Sequence, residues 1–375
     1  MNERTTLGLL VLSGVRHAAS YLPVFGAHPD VALRALCEEG RAPDWAHRDT
    51  RLLAEQYRVP FVTDPEAALA RDDVDLVLVC SEPTRHARLA AQALRAGKHV
   101  LVDKPMATAL DEAAALVEAA AVGRGKFTVV HRLFGPPIQR ARRLIDAGHV
   151  GLVRHVDVEF LASGVHFSTS VERPEFVANP ALSGGGELLN FMVYPVDYLR
   201  YLTGAEVVEV FAEAGTFFFD AHKQFGVEDA GILSLLLEHD ITATLTVGRV
   251  PFAPTPGTGS SELRVIGSHG HLTIDENRPQ LDVFSTATER RGLPIGGESA
   301  RGTVATEIGE FIEDIRDDRA PLYGVEDGWA AVAAIDAAYR SVAAGQPARV
   351  IGFPPRPAGA AAGRSASPLR VMSDE

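Results

Sequence analysis

Short, almost wholly apolar runs alternate with helical patterns through the first third of the chain, and this alternation restricts the fold more than any other feature. Leu7 to Leu12 is the first such run, followed by a helix-like stretch from about Ala18 to Gly26 and a second run at Val31 to Cys37. Arg48 to Tyr57 has helical spacing, and Pro60-Phe61-Val62 is a shorter apolar run. Asp64 and Pro65 read as the cap and first position of a brief helix ending near Ala70. Val74 to Cys80 turns continuously apolar, Arg85 to Ala96 is a helix stopped by Gly97, and His99 to Val102 is another strand. A strand that is apolar along its whole length needs cover on both faces, and intervening helices supply it. The expectation is a doubly wound parallel α/β sheet over residues 1–127.

Beyond residue 127 the strands become longer and more alternating. Thr128 to Val130 is strand-like, and Pro137 to Ala147 is a helix ending at Gly148. Val153 to Ala162, Val207 to Ala214, Gly231 to Leu237, Ile241 to Val247, Glu262 to Ile266 and His271 to Ile274 follow as strands, with a helix at Asn190 to Leu202. Strand after strand with hairpin-scale gaps predicts an open, mostly antiparallel sheet, so residues 128–353 form an α+β domain. Ile308 to Arg316 and Ala330 to Ala343 return to helical spacing, and 354–375, rich in Pro, Ala, Gly, Arg and Ser, is expected to be a flexible tail.

The charge balance excludes some partners. With 36 basic against 49 acidic residues the chain carries −13, which opposes a polyanion, so no nucleic-acid partner is expected. No apolar stretch approaches the roughly 20 residues that span a bilayer, so no membrane association is expected either. The opening residues Met1 to Thr6 lack the pattern of a secretory signal. Cys37 and Cys80 lie in apolar runs and read as buried free thiols, which suits a reducing cytoplasm. None of the 13 histidines has metal-ligand spacing, so no metal is expected.

In a doubly wound sheet, a dinucleotide diphosphate sits over the first strand-to-helix turn, where glycines let the backbone approach it. Here that turn reads Val11-Leu12-Ser13-Gly14-Val15-Arg16-His17. With a G-x-G-x-x-G frame starting at position 11, the glycine places hold Val11, Ser13 and Arg16, and the single glycine, Gly14, falls between them. Ser13, Gly14, Val15 and Arg16 are the candidate phosphate turn; Arg16 reads either as a phosphate ligand through its guanidinium fork or as a solvated helix residue. Glu38, 22 residues after Arg16, has the spacing of an acid that meets the adenosine ribose hydroxyls. It would repel a 2′-phosphate and so favours NAD slightly over NADP, although Arg41 and Arg48 stand nearby.

The stretch Cys80-Ser81-Glu82-Pro83-Thr84-Arg85-His86, followed by Ala93 to His99 and Val100-Leu101-Val102-Asp103-Lys104-Pro105, resembles the Gfo/Idh/MocA family. There a strand ends at a proline loop, a helix follows, and a Gly-Lys-His-Val strand leads to Glu-Lys-Pro; here the glutamate is Asp103. Ile145 to Gly151 resembles the family's link into its second domain. Ser183-Gly184-Gly185-Gly186-Glu187-Leu188-Leu189-Asn190 resembles the glycine turn before its catalytic helix, while Val227 to Ala230 and Ala337 to Ser341 resemble further landmarks. The likeness runs over roughly residues 5–350.

The resemblance implies a Rossmann-type first domain, a nicotinamide cofactor (NAD or NADP) and an oxidoreductase acting on a sugar, cyclitol or related small molecule. It implies that Lys104 reaches the substrate hydroxyl beside the nicotinamide, where a buried cation favours a developing alkoxide. Ser81, Pro83, His86, Asp103 and Lys104 then fall along the cofactor. The family's helical aspartate and histidine, four residues apart on one face, correspond to Asn190 and Tyr194. A phenol is a poor base near neutrality unless a cation such as Lys104 stabilises its anion, and a Tyr–Lys pair is a workable proton-transfer unit. His131 and His166 are candidate substrate contacts. Two alternatives stay open: a redox-neutral sugar-processing enzyme with tightly held NAD, and a non-catalytic or regulatory protein of the same fold. Specificity is expected from the loops Phe167 to Ser183 and Val250 to Ser260, and the resemblance implies a homo-oligomer, dimer or tetramer.

Overall fold

The computed structural model describes residues 6–164, 173–251, 259–277, 280–285, 288–294 and 300–354. It resolves into two compact units, one running to Val130 and including Val304–Trp329, the other holding His131–Thr303 and Ala330–Phe353.

In the first unit, β1 (Leu7–Leu12), α1 (Ala18–Ala27), β2 (Val31–Cys37), α2 (Asp44–Tyr57), β3 (Phe61–Val62) and α3 (Pro65–Leu69) precede β4 (Leu76–Val79). Then come α4 (Pro83–Arg95), β5 (His99–Val102), α5 (Leu110–Val122) and β6 (Phe127–Val129). The six strands form one parallel sheet in the order β3-β2-β1-β4-β5-β6. Their apolar runs are buried because helices cover the sheet, as the unbroken hydrophobicity of β1, β4 and β5 requires. Several helices begin earlier than their apolar spacing indicates. In α2, Pro43 precedes an acidic first turn at Asp44, and in α4 Pro83 takes the first position, where its missing N–H costs nothing. The unanticipated α5 is rich in alanine, which forms helix readily but traces little amphipathic stripe. The order reverses between β1 and β4, and a crevice at the carboxyl ends of these strands is where such sheets take ligands.

In the second unit, α6 (Pro136–Asp146) and β7 (Val153–Ser163) are followed by the short α7 (Pro174–Val177), α8 (Pro180–Ser183) and α9 (Glu187–Phe191). Next are α10 (Val193–Thr203), β8 (Val207–Gly215), α11 (Asp220–Phe225), β9 (Ala230–Leu237), β10 (Thr242–Val250), β11 (Gly259–Gly267), β12 (Gly270–Asp275), β13 (Gln280–Ser285) and β14 (Thr288–Pro294). The last elements of the chain are α12 (Ala300–Arg316), which joins the first unit from Val304 on, α13 (Val325–Ala344), which passes into the second unit after Trp329, and β15 (Ala348–Arg349) in the second sheet. The sheet runs β14-β13-β12-β11-β7-β10-β9-β8-β15 and is antiparallel except for β10 against β7. One face is packed. The other is open and carries exposed Ile232, Ser234, Thr242, Thr244 and Glu262.

The single helix expected at Asn190 to Leu202 is in fact two helices meeting at Met192. Pro195 has no N–H to donate to the carbonyl of Phe191, so the ladder breaks there. Gly186 precedes this pair at a close approach, since a Cβ would lie 2.3 Å from the carbonyl oxygen of Glu228.

Candidate active site

In the first unit, candidate residues gather at the carboxyl ends of β1, β2, β4 and β5. The β1–α1 turn keeps a glycine-like path without the glycines: Ser13 and Arg16, at two of the three expected glycine places, have φ of 64° and 48°. Each left-handed non-glycine residue costs about 1–2 kcal/mol, so the fold over-determines this turn. Two of its N–H groups are spent internally. The Ser13 N–H donates to the Cys37 carbonyl at 2.8 Å, and that of Gly14 donates to Thr50 Oγ1 at 2.9 Å. A Cβ on Gly14 would lie 3.1 Å from Leu36 Cδ2, which explains the surviving glycine. Val15 packs with Ala42, Trp45 and Ala46.

Arg16 is only 6% exposed, yet its Nε and Nη2 have no hydrogen-bond partner among the described residues. Buried charged donors without a partner leave room for an acceptor, and a diphosphate has the oxygens to fill it. At this burial the reading of Arg16 as a solvated helix residue does not hold.

Glu38, at the end of β2, is buried. Its carboxylate accepts from Ser13 Oγ at 2.5 Å, Thr50 Oγ1 at 3.2 Å and Arg85 Nη1 at 2.7 Å. Arg85 also forks onto Glu82 at 2.6 Å through both Nε and Nη2 and reaches Glu39 at 3.1 Å. Ser81 is buried with its hydroxyl on the Glu82 carbonyl at 3.0 Å. His86 places Nδ1 2.7 Å from the Pro105 carbonyl and Nε2 2.8 Å from that of Ser81, tying the start of α4 to the Lys104–Pro105 turn. Its ring nitrogens are thus occupied by backbone.

Asp103 organises the end of β5. Tyr21 donates to its Oδ1 at 3.0 Å, the Lys104 backbone N–H donates to the same oxygen at 2.9 Å, and His17 Nδ1 lies 2.7 Å from Oδ2. Burial alone would push this carboxyl up, but His17, His86 and Arg16 beside it hold it well below the usual carboxylate range. An ionised carboxylate only accepts, so His17 Nδ1 carries the proton. Lys104 follows, 3% exposed, joined to Pro105 by a cis peptide.

In the second unit, Asn190 is buried and donates through Nδ2 to Glu187 Oε2 at 2.8 Å. Glu187 Oε1 receives Arg249 Nε at 2.5 Å and lies 3.2 Å from His222 Nε2. Burial pushes the Glu187 carboxyl up, but Arg249 and His222 pull it down to about 2. Tyr194 is half-buried, its ring 5.1 Å from that of Phe160, with the Arg132 guanidinium 5.1 Å from the ring centre. Arg132 is anchored by Glu276 at 3.6 Å, which also accepts from Tyr198 and Ser261 at 2.5 Å. His131 is buried, and burial pushes its imidazole down to about 3; the neutral ring accepts the Leu133 N–H on Nδ1 at 3.1 Å. His166 lies outside the described residues, as do parts of both expected specificity loops and 355–375.

Sequence reasoning missed His17, Arg85, Arg132, Glu187, His222 and Arg249. Three of them had a local signal: Glu187 stands inside the glycine turn three residues before Asn190, His17 closes the turn that begins at Val11, and Arg85 lies in the Cys80 to His86 stretch. Among the described residues no group of three or more His, Cys, Asp or Glu could hold a metal ion. No helix of the described chain is long and apolar enough to cross a membrane.

Comparison with known proteins agrees with this geometry. Residues 11–131 match the model of an oxidoreductase family with an NAD-binding Rossmann fold, and residues 138–273 match the GFO/IDH/MocA C-terminal domain. The chain is 27% identical to dTDP-3,4-didehydro-2,6-dideoxy-alpha-D-glucose 3-reductase of Streptomyces violaceoruber, over 79% of this chain and 81% of that protein. It is 24% identical to myo-inositol 2-dehydrogenase of Thermotoga maritima, over 71% of this chain and 76% of that one. The structure of levoglucosan dehydrogenase in complex with NADH shares its fold with a TM-score of 0.79 at 17% identity, covering 93% of this chain and all of that one. The chain belongs to the GFO/IDH/MocA family of NAD-binding oxidoreductases.

Proposed function

We propose that this protein transfers a hydride between a nicotinamide dinucleotide and a carbinol or carbonyl carbon of a sugar, cyclitol or related polyol, with Lys104 and Tyr194 handling the proton at the reacting oxygen. The observation that carries the reading is Lys104 itself, buried directly behind the ionised, fully engaged Asp103. Relatives named for an inositol and for a deoxysugar support the substrate class. When bound, the nicotinamide supplies or accepts the hydride.

The chain's own residues do the rest. Lys104 holds positive charge where an alkoxide develops, and Tyr194 exchanges the proton at that oxygen. Arg132, over the Tyr194 ring, favours negative charge on the phenol oxygen. Asn190, fixed by Glu187, orients a substrate hydroxyl, and His131 is assigned to the same substrate surface. Residues 13–16, Glu38, Ser81, Pro83 and Asp103 hold the dinucleotide, with His86 fixing the turn. Glu38, at the place of a ribose-binding acid, favours NAD slightly over NADP, a preference that its pairing with Arg85 and the nearby Arg88 and Arg41 keeps small. The open sheet face, with Ile232 65% exposed, is assigned to self-association as a dimer or tetramer, and the buried thiols suit the cytoplasm.

The test is turnover of a polyol panel with NAD and NADP, alongside direct binding of each dinucleotide. Lys104→Ala should bind NADH within a few-fold of the native protein while kcat falls by about 10²–10⁴-fold. Unchanged turnover would remove Lys104 from the mechanism.

A further inference from the structure

We propose that the Arg16 guanidinium, not a glycine-lined backbone cradle, is the anchor for the dinucleotide's diphosphate. The inference rests on the dinucleotide reading above and specifies how that site recognises charge. The N–H groups of Ser13 and Gly14 are already spent on Cys37 and Thr50, so the turn offers a phosphate less backbone than a glycine-rich one. In their place stands a cation at the third glycine position, in left-handed backbone, whose side chain is 94% buried yet keeps Nε and Nη2 without a partner among the described residues.

Nearby acids do not satisfy it. Asp103 is engaged by His17, Tyr21 and the Lys104 N–H, and Glu38 by Ser13, Thr50 and Arg85. Arg16 nevertheless lies within electrostatic reach of Asp103, Cys80 and His86, which places its charge at the carboxyl ends of β4 and β5. That is the crevice beside the β1–β4 reversal in strand order. A planar fork of donors there matches two phosphate oxygens at once, which a lysine would not do. The ligand class is therefore an organic diphosphate, and an inorganic phosphate offers the same oxygens without the adenosine.

Native protein, Arg16→Met and Arg16→Lys are titrated with NADH, ADP-ribose, adenosine and inorganic phosphate by calorimetry, with Trp45 fluorescence as a second signal beside Val15. The native protein should bind ADP-ribose far more tightly than adenosine or phosphate, with affinity falling as salt rises. Arg16→Met should lose about 10- to 100-fold for ADP-ribose and NADH while adenosine stays within about threefold. Arg16→Lys should recover only part of the loss.

The proposal falls if Arg16→Met binds ADP-ribose like the native protein or if it loses adenosine equally. Binding of inorganic phosphate as tight as that of ADP-ribose would also overturn it, in favour of a free-anion site. If the native protein binds neither NADH nor ADP-ribose, the dinucleotide reading itself fails, and the two failures are thereby distinguished.

Discussion

Asp103 matters because of where it sets Lys104. Its Oδ1 accepts the Lys104 backbone N–H at 2.9 Å, which fixes how the buried lysine leaves β5. Asp103 accepts three N–H or O–H donors in all, from His17, Tyr21 and the Lys104 backbone. An amide has one acceptor oxygen and two donor hydrogens, so Asp103→Asn loses the charge and turns its N–H groups toward His17, whose ring must give up its Nδ1 proton to accept them. That substitution should cost about 1–3 kcal/mol of stability. It should also lower kcat while leaving the substrate KM near native, and Asp103→Glu should restore part of the rate. Paired kcat and KM measurements with urea unfolding check this; a rise in KM alone would show that Asp103 acts on substrate binding instead. At this scale the sequence was legible where partners are neighbours, as in Asp103-Lys104-Pro105. It was opaque where they are distant, because His17 and Asp103 stand 86 positions apart and no local pattern predicts their meeting.

Elements follow the same division. Strands such as β1 and β4 were readable because burial on both faces leaves an unbroken apolar run, and the glycine turn before α9 was readable by its residues. The Met192 break was not anticipated, since hydrophobic spacing continues through it and only the missing Pro195 N–H interrupts the ladder. Across that break the second unit keeps a buried carboxylate at Glu187 rather than at Asn190, with Arg249 brought from β10 to neutralise it. Glu187→Gln removes the negative member of the buried Glu187–Arg249 pair, which should cost about 3–5 kcal/mol at neutral pH. The folded carboxyl titrates at about 2, below its ordinary 4.5, so its contribution is complete above 4.5 and is lost as pH falls through about 2. The difference between native and Glu187→Gln protein should therefore shrink between pH 5 and pH 2 in denaturant titrations. A difference constant across that range would mean that Glu187 acts through packing and not through its charge.

At the scale of the whole molecule, the first unit is discontinuous. Residues 304–329 belong with the parallel sheet although they follow the strands of the second unit in the chain. Helical spacing marks α12 as amphipathic but cannot say which core its apolar face joins; that depends on tertiary packing. The structure answers through Ile308, Phe311 and Ile312, which lie in one buried cluster with Leu9, Val11, Leu36, Leu76 and Leu78. A contribution from so late in the chain means that the dinucleotide-type sheet cannot complete its core from its first 130 residues alone. Ile312→Ala, at a fully buried position, should cost about 2–5 kcal/mol through lost burial and a residual cavity. A ligand that binds only the folded first unit offsets part of that loss: at 100 times its Kd, NADH adds about 2.7 kcal/mol. Thermal unfolding of Ile312→Ala should accordingly show a lowered transition that NADH raises again, by a free energy close to the increment it gives the native protein. A cost below about 1 kcal/mol would place α12 outside the core's cooperative unit, since buried isoleucine truncations within such a unit cost more.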